Sequence, residues 1–123
     1  MAVWNDAIWG DTTQEDTKKY VAGAKDFDAA LDNLYEDEEI SKKISALYDN
    51  QEKVSSLMRK LKNPPEGYQD CYDAATALYQ KYTSFIIMAT SPTGSYNSYS
   101  EDFLKLDKET ADEISQFIIL LPD

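Results

Sequence analysis

The chain has 123 residues, of which 42% are hydrophobic and 12% aromatic, and it carries a formal net charge of −11. This apolar content excludes a disordered acidic chain and predicts one packed helical-bundle domain over residues 1–123. The acidic balance argues against nucleic-acid binding and against an anionic membrane surface, because both depend on lysine and arginine.

Residues 1–35 are predicted to form one interrupted helix or two short helices. Four apolar residues between positions 3 and 8 share one helical face, and residues 10–13 (GDTT) then weaken or break the helix. Apolar positions are sparse after this break until Phe27, where a spacing of three to four residues returns.

Two apolar series, with alternating steps of four and three residues, predict two long helices that pack nearly antiparallel. The first should begin near Asp37 and end near Lys62, because residues 63–65 (NPP) remove two amide donors and disfavour the helical conformation. Pro65 suits the first turn of the next helix, which should reach about Thr90. The two series are Ile40, Ile44, Leu47, Gln51, Val54, Met58 and Leu61, and Tyr68, Tyr72, Ala75, Tyr79, Tyr82, Ile86 and Ala89.

A final helix is predicted after the turn at residues 91–95 (SPTGS). Ser95 or Ser98 can cap it, and Ser98 with Glu101 has the spacing of a capping box. The pattern places one residue from each turn on its inward face: Tyr99, Phe103, Leu106, Thr110, Ile114, Phe117 and Leu121. No strand pattern competes, so the predicted fold class is all-α, an up-down helical bundle of three to four helices.

The sequence contains no catalytic signature. Histidine is absent and Cys71 is the single cysteine, which excludes an internal disulfide, a thiolate metal site within one chain and the usual hydrolase schemes. Cys71 immediately precedes Tyr72, a residue of the second apolar series, so a packing role is favoured over a reactive thiol. Residues 26–32 are superficially similar to a calcium loop but carry Ala30 and Leu31 where a ligand and the turn glycine are needed. We predict no cofactor, no metal and no enzymatic activity.

Aromatic residues supply the candidate binding positions. The chain has nine tyrosines. Four of them, Tyr68, Tyr72, Tyr79 and Tyr82, belong to the second apolar series, which we call the tyrosine seam. For these four, core packing is favoured over binding. Trp4, Trp9, Tyr96 and Tyr99 are better candidates for contacts with a partner, because they lie near a terminus or beside a turn and because these residue types are enriched at binding hot spots.

The sequence predicts no transmembrane helix. The longest apolar runs, residues 85–89 and 117–121, are far shorter than the ~20 residues that cross a bilayer. The first residues show no basic region followed by an apolar stretch, so any export signal has been removed or never existed.

Five stretches, spread over nearly the whole chain, carry a resemblance to a known group of proteins. They are residues 3–8 (VWNDAI), 27–31 (FDAAL) with the acidic run after it, 50–54 (NQEKV), 61–68 (LKNPPEGY) and 91–96 (SPTGSY). In them the chain resembles the small helical domains of Firmicute, especially streptococcal, cell-surface lipoproteins of uncharacterised function. The resemblance implies an extracytoplasmic domain preceded by an export signal and a lipidated cysteine, for which the mid-helix Cys71 is no substitute. It implies no activity, cofactor or catalytic residue.

Two hypotheses about function follow. The first is a non-enzymatic extracytoplasmic domain of a Gram-positive surface lipoprotein, which reaches the membrane only through a lipid anchor and binds a protein or a cell-wall component. The alternative is a cytoplasmic acidic inhibitor of phage type that imitates nucleic acid, for which the net charge of −11 and the start at Met1 are the motivation. The mixed charges between Lys42 and Lys62 count against the alternative.

Overall fold

All regular structure is helical in the computed structural model of the chain, which describes residues 1–122. This confirms the predicted all-α class, although the described residues form six helices where three to four were predicted. The helices are α1 (Ala2–Trp9), α2 (Glu15–Val21), α3 (Phe27–Glu36), α4 (Glu38–Lys60), α5 (Gln69–Thr90) and α6 (Tyr96–Leu120). Within residues 1–122, no helix is both long enough and apolar enough to span a membrane.

The chain divides into two compact units. The first comprises Met1–Ala46 and the second begins at Leu47, so the boundary falls inside α4. The single domain predicted from length stays a prediction. The first unit contains α1, α2, α3 and the start of α4, and the second contains the rest of α4 with α5 and α6.

The first unit corrects the prediction for residues 1–35, because three short helices are found there rather than one or two. Gly10 ends α1 in the left-handed conformation, with φ of 62°, which favours glycine at a helix end. Asp26 begins α3, since its carboxylate accepts the amide N–H of Ala29 at 2.9 Å. Asp26 is therefore the N-cap of α3.

A small core holds the three short helices together. Val3 of α1, Tyr20 and Val21 of α2 and Ala30 of α3 are buried against one another. Short helices are marginal in isolation, so the packing of these apolar faces supplies most of their stability. The sequence pattern alone could not predict their number, because their existence depends on contacts between segments that lie far apart in the chain.

The burial of the long helices follows the predicted seams in part, and the packing that the structure shows for α5 is against α6. Along α4 the less exposed positions include Ile44, Leu47, Gln51, Val54 and Met58, which belong to the predicted seam. The equivalent face of α5 is also covered, with Ile86 buried and four seam residues half-buried: Tyr72, Ala75, Tyr79 and Tyr82. Tyr68 and Ala89, at the ends of that series, are exposed.

The start of α5 differs from the prediction. The helix begins at Gln69 rather than near Pro65, because the chain first forms a turn in which the Tyr68 amide donates to the Pro65 carbonyl at 3.1 Å. Gly67 adopts φ of 85° in this turn, a conformation that cannot continue a right-handed helix. The turn matters for the site, because it places Pro64 and Tyr68 beside the end of α4.

Three contacts show that α5 and α6 run antiparallel. The Cys71 thiol donates to the Leu120 carbonyl at 2.8 Å, near the start of α5 and the end of α6. Lys81 pairs with Glu109 in the middle of the two helices, and the ring of Phe85 meets the edge of Phe103 at 5.7 Å between centroids. The two helices therefore form a hairpin that is closed by the turn at residues 91–95.

Ser95 is the N-cap of α6, which confirms one of the two predicted capping residues. Its hydroxyl accepts the Ser98 amide at 3.1 Å, and the Ser98 hydroxyl accepts the Ser95 amide at 3.0 Å. The capping box therefore joins Ser95 to Ser98 rather than Ser98 to Glu101.

Candidate binding cleft

An apolar cleft of about 380 Å³ lies in the second unit, where the end of α4, the start of α5 and the end of α6 meet. Its size is within the range of ligand pockets, which hold roughly 300–1,000 Å³. Six residues form most of its apolar wall: Leu61, Pro64, Tyr68, Tyr72, Phe117 and Leu121.

The sequence builds this wall from three local patterns. Tyr68, the N-cap of α5, and Tyr72 in its first turn are four residues apart, and Phe117 and Leu121 have the same spacing at the end of α6, so each pair lies on one side of its helix. Pro64 is held in the turn between α4 and α5 and closes the third side. Antiparallel packing of α5 and α6 then brings the start of one helix next to the end of the other.

The mouth of the cleft is open to solvent. Leu61, Tyr68 and Leu121 are all exposed although they line it. Ile118 and Ile119, near the end of α6, are also exposed. Exposed apolar residues at the mouth of a cleft are typical of a surface that contacts another molecule.

Besides the tyrosines, three polar or charged side chains lie in the lining of the cleft: Lys60, Asn63 and Cys71. The half-buried Cys71 uses its thiol to bind the Leu120 carbonyl, one of the terminal carbonyls of α6 that have no partner within the helix. This contact agrees with the packing role predicted for Cys71. Lys60 also lines the cleft and contributes its positive charge there.

The lining of the cleft is mainly apolar. Proline, leucine and aromatic side chains make up most of it. Across residues 1–122 the structure shows no group of three or more His, Cys, Asp or Glu side chains that could hold a metal ion. Such a lining can bury apolar side chains of another molecule.

The four candidate binding residues divide between the two units. Trp4 is only 5% exposed and stacks on Phe27, with 4.4 Å between ring centroids. Trp9 is 77% exposed. Tyr99 is buried and its hydroxyl donates to the Met88 carbonyl, whereas Tyr96 is half-buried. The exposure that we expected is therefore not found for Trp4 and Tyr99, because both pack into their units. Contact of Trp9 or Tyr96 with a partner stays a prediction.

Most of the cleft is not predicted by the sequence pattern. The pattern favours core packing for Tyr68 and Tyr72 and predicts inward faces for Leu61, Phe117 and Leu121. A signal was present in residues 117–121, which are all apolar although one helical face can cover only some of them.

Ion pairs neutralise much of the acidic segment at the start of α4. Lys19 binds the Asp37 carboxylate at 2.8 Å, and Lys42 and Lys43 pair with Glu38 and Glu39 one turn away. The hydrogen bond from Lys19 lowers the pKa of Asp37, which also accepts backbone amides of α4. This arrangement agrees with the interpretation of the acidic run as a solvated helix start.

Comparison with known proteins identifies no relative of the chain: no protein-family model, no curated protein and no solved structure matches it. The resemblance to surface lipoprotein domains therefore stays a prediction that rests on the five quoted stretches.

Proposed function

We propose that the chain is a non-enzymatic helical binding domain of a Gram-positive bacterial surface lipoprotein, and that it binds a partner protein through the cleft. The observation that carries the proposal is the apolar cleft itself, with exposed Leu61, Tyr68 and Leu121 at its mouth. Cell-surface location and a lipid anchor outside this chain are proposed from the resemblance.

A protein suits the cleft better than a cell-wall polymer does. Wall glycans and peptides present hydroxyl, amide and charged groups, which need hydrogen-bond partners when they are buried. The wall of the cleft is formed mainly by leucine, proline and aromatic side chains. An apolar segment of a protein would therefore lose the fewest hydrogen bonds to water on entering the cleft. It would also gain roughly 25 cal/mol of binding free energy per Å² of apolar area buried.

The bundle that we propose is an up-down arrangement of three helices in the second unit, formed by α4 from Leu47 onward, α5 and α6. The antiparallel contacts between α5 and α6 support it. In this arrangement the cleft is the open end of the bundle, where the helices diverge around the turn at Pro64. Binding sites between the helices of a bundle are common.

The alternative, an acidic inhibitor that imitates nucleic acid, has less support. It needs carboxylates that are free to replace phosphates, yet Asp37, Glu38, Glu39 and Glu109 are each paired with a lysine. Displacement of DNA from basic DNA-binding proteins by the purified chain, at physiological salt, would favour the alternative.

The decisive experiment places a photo-crosslinking phenylalanine analogue at Tyr68 in the native cells. Tyr48 is the matched control, because it is a tyrosine of similar exposure (49% against 42%) that does not line the cleft. We expect one discrete adduct from position 68 and none from position 48, with the partner then identified by mass spectrometry. Equal adducts from both positions, or none from either, would contradict the proposal.

Location is tested separately by fractionating the source cells and measuring the intact mass of the endogenous product. A membrane-associated product with an N-terminal lipid is expected. A cytoplasmic product that begins at Met1 would overturn the surface location and move the inhibitor hypothesis to the front.

A further inference from the structure

The polar groups of the cleft are unevenly distributed around its lining. Lys60 comes from the last turn of α4, and Asn63 comes from the turn that follows it. The residues that line the cleft from α6 and just after it are all apolar: Phe117, Leu121 and Pro122. The cleft therefore has an α4 side that carries a charged and a polar group, and an α6 side that is apolar.

Lys60 gives the cleft its charge. Among the described residues that line the cleft, it is the only one that is charged at neutral pH. It is exposed, and within residues 1–122 it takes part in no ion pair. The acidic residues that follow it in the chain, Glu66 and Asp70, are exposed and do not line the cleft. The ammonium group of Lys60 is therefore available to a ligand.

Positive charge is concentrated on the segment that supplies the α4 side. Residues 53–65 carry four cationic residues and no acidic one, in a chain with a net charge of −11. Residues 114–122, which supply the α6 side, carry no charge. A segment whose sign is opposite to that of the whole chain attracts acidic groups of a partner and disfavours basic ones.

We propose that the cleft binds an amphipathic segment of the partner protein, which places an Asp or Glu carboxylate on Lys60 and its apolar side chains against the α6 side. This inference rests on the proposed function, because it describes the ligand of the same cleft. A segment that covers the cleft removes water from around Lys60, and an ammonium group that loses water without gaining an anion costs free energy. The carboxylate supplies that anion, and the amide of Asn63 can form hydrogen bonds with the backbone of the segment.

Lysine suits this position because it combines two properties. Its methylene stem can extend an apolar surface while its charged end reaches the rim. Since Lys60 is exposed, the ion pair should contribute modestly to affinity and more to the choice of partner. We therefore expect loss of this charge to weaken binding by about three- to tenfold.

Selection from a random peptide library displayed on phage tests the proposal with the intact chain. A salt concentration of about 0.15 M screens long-range attraction, so that peptides are selected for contacts at short range. Peptides that also bind Tyr68→Ala are discarded, because this variant alters the mouth of the cleft at an exposed position. We expect the remaining peptides to share apolar residues with Asp or Glu at a fixed position beside them.

Charge variants make the test specific. By fluorescence polarisation, Lys60→Gln should weaken the selected peptides about three- to tenfold, and a new selection with Lys60→Glu should give peptides with Lys or Arg at the same position. Lys53→Glu is the matched control, because Lys53 is an exposed lysine two turns earlier on the same side of α4 that does not line the cleft. It should change neither the affinity nor the selected sequences. Far-UV circular dichroism checks that each variant keeps its helices.

The possible failures separate this inference from the proposed function. Selected peptides that are apolar without a preferred acidic residue would overturn the role of Lys60 and leave the cleft as a protein-binding site. An acidic preference that persists in Lys60→Glu, or that Lys53→Glu changes equally, would do the same. If no peptide distinguishes the chain from Tyr68→Ala, both this inference and the binding function of the cleft are overturned.

Discussion

The hydroxyl of Tyr99, in the first turn of α6, donates to the backbone carbonyl of Met88 near the end of α5 at 2.8 Å. In a continuing helix that carbonyl would accept the amide of residue 92, but Pro92 has no N–H to donate. The tyrosine therefore replaces a missing backbone partner and ties the two helices together across their turn. Burial around it raises the pKa of the Tyr99 hydroxyl.

Tyr99→Phe should destabilise the chain by about 1–2 kcal/mol, because the Met88 carbonyl loses this hydrogen bond in a region shielded from water. Urea unfolding followed by circular dichroism measures the effect. Tyr48→Phe is the control, since Tyr48 is exposed and its hydroxyl is accessible to water. A loss of the same size in both variants would contradict the role that we assign to the Tyr99 hydroxyl.

The two tryptophans should respond in opposite ways to replacement by alanine. Trp4 is buried against Phe27, so Trp4→Ala should cost about 3–5 kcal/mol and reduce the helicity of the first unit. Trp9 is exposed, so Trp9→Ala should change stability by less than about 0.5 kcal/mol. Urea unfolding checks both values.

Quenching of tryptophan fluorescence by iodide gives an independent test. The variant that retains only Trp9 should be quenched readily, and the variant that retains only Trp4 should be protected while it stays folded. Strong quenching of Trp4 in the folded protein would contradict its burial.

The parts of the fold that can be predicted from sequence are helices with a long apolar periodicity and with residues that clearly mark where the helix begins or ends. The position of α4 follows from its apolar series and from Pro64 and Pro65. Helix α6 begins at Tyr96 because Ser95, the last residue of the turn at residues 91–95, caps it. The burial of Trp4 was not predictable, since it depends on Phe27, which is 23 positions away and in another helix.

The cleft could be predicted only in fragments. Its residues come from the turn at Pro64, the start of α5 and the end of α6, and each fragment alone has the pattern of an ordinary inward face. Periodicity shows which residues share a face, but whether that face is fully covered depends on how the neighbouring helices end. For this reason the tyrosine seam was assigned to the core over its full length, although Tyr68 at its end is exposed.

Asp6 is a buried acidic residue whose carboxylate accepts a hydrogen bond from Thr17 of α2. The Thr17 hydroxyl donates to the Asp6 carboxylate at 2.5 Å, and Asn5 donates to the other carboxylate oxygen at 3.3 Å. Thr17→Val keeps the shape of the side chain but removes the donor, so it should destabilise the first unit by about 2 kcal/mol.

The exposed Thr12→Val is a suitable control for this substitution, because Thr12 lies in the segment between α1 and α2. Urea unfolding should separate the two variants clearly. If Thr17→Val unfolds at the same urea concentration as the unmodified chain, the buried hydrogen bond adds nothing to stability.

The pair formed by Lys81 and Glu109 should make stability depend on pH. Lys81 donates to the Glu109 carboxylate at 2.5 Å, and Lys105 lies 3.9 Å from its other oxygen. The hydrogen bond from Lys81 holds the pKa of Glu109 below its ordinary value of 4.5. The unfolded chain therefore binds this proton more tightly than the folded chain does. The contribution of Glu109 to stability is complete above its ordinary pKa and is lost as the pH falls below 4.5 and through the folded pKa.

A double-mutant cycle with Glu109→Gln and Lys81→Met isolates this contribution from the other carboxylates that titrate in the same range, Asp37 among them. We expect the coupling between positions 81 and 109 to be favourable at about pH 6 and to shrink towards zero as the pH approaches about 3. Because part of this pair is exposed to solvent, added salt should also weaken the coupling at the higher pH. A coupling that keeps the same value across this range would show that the two side chains stabilise the hairpin of α5 and α6 by packing of their aliphatic stems rather than by charge.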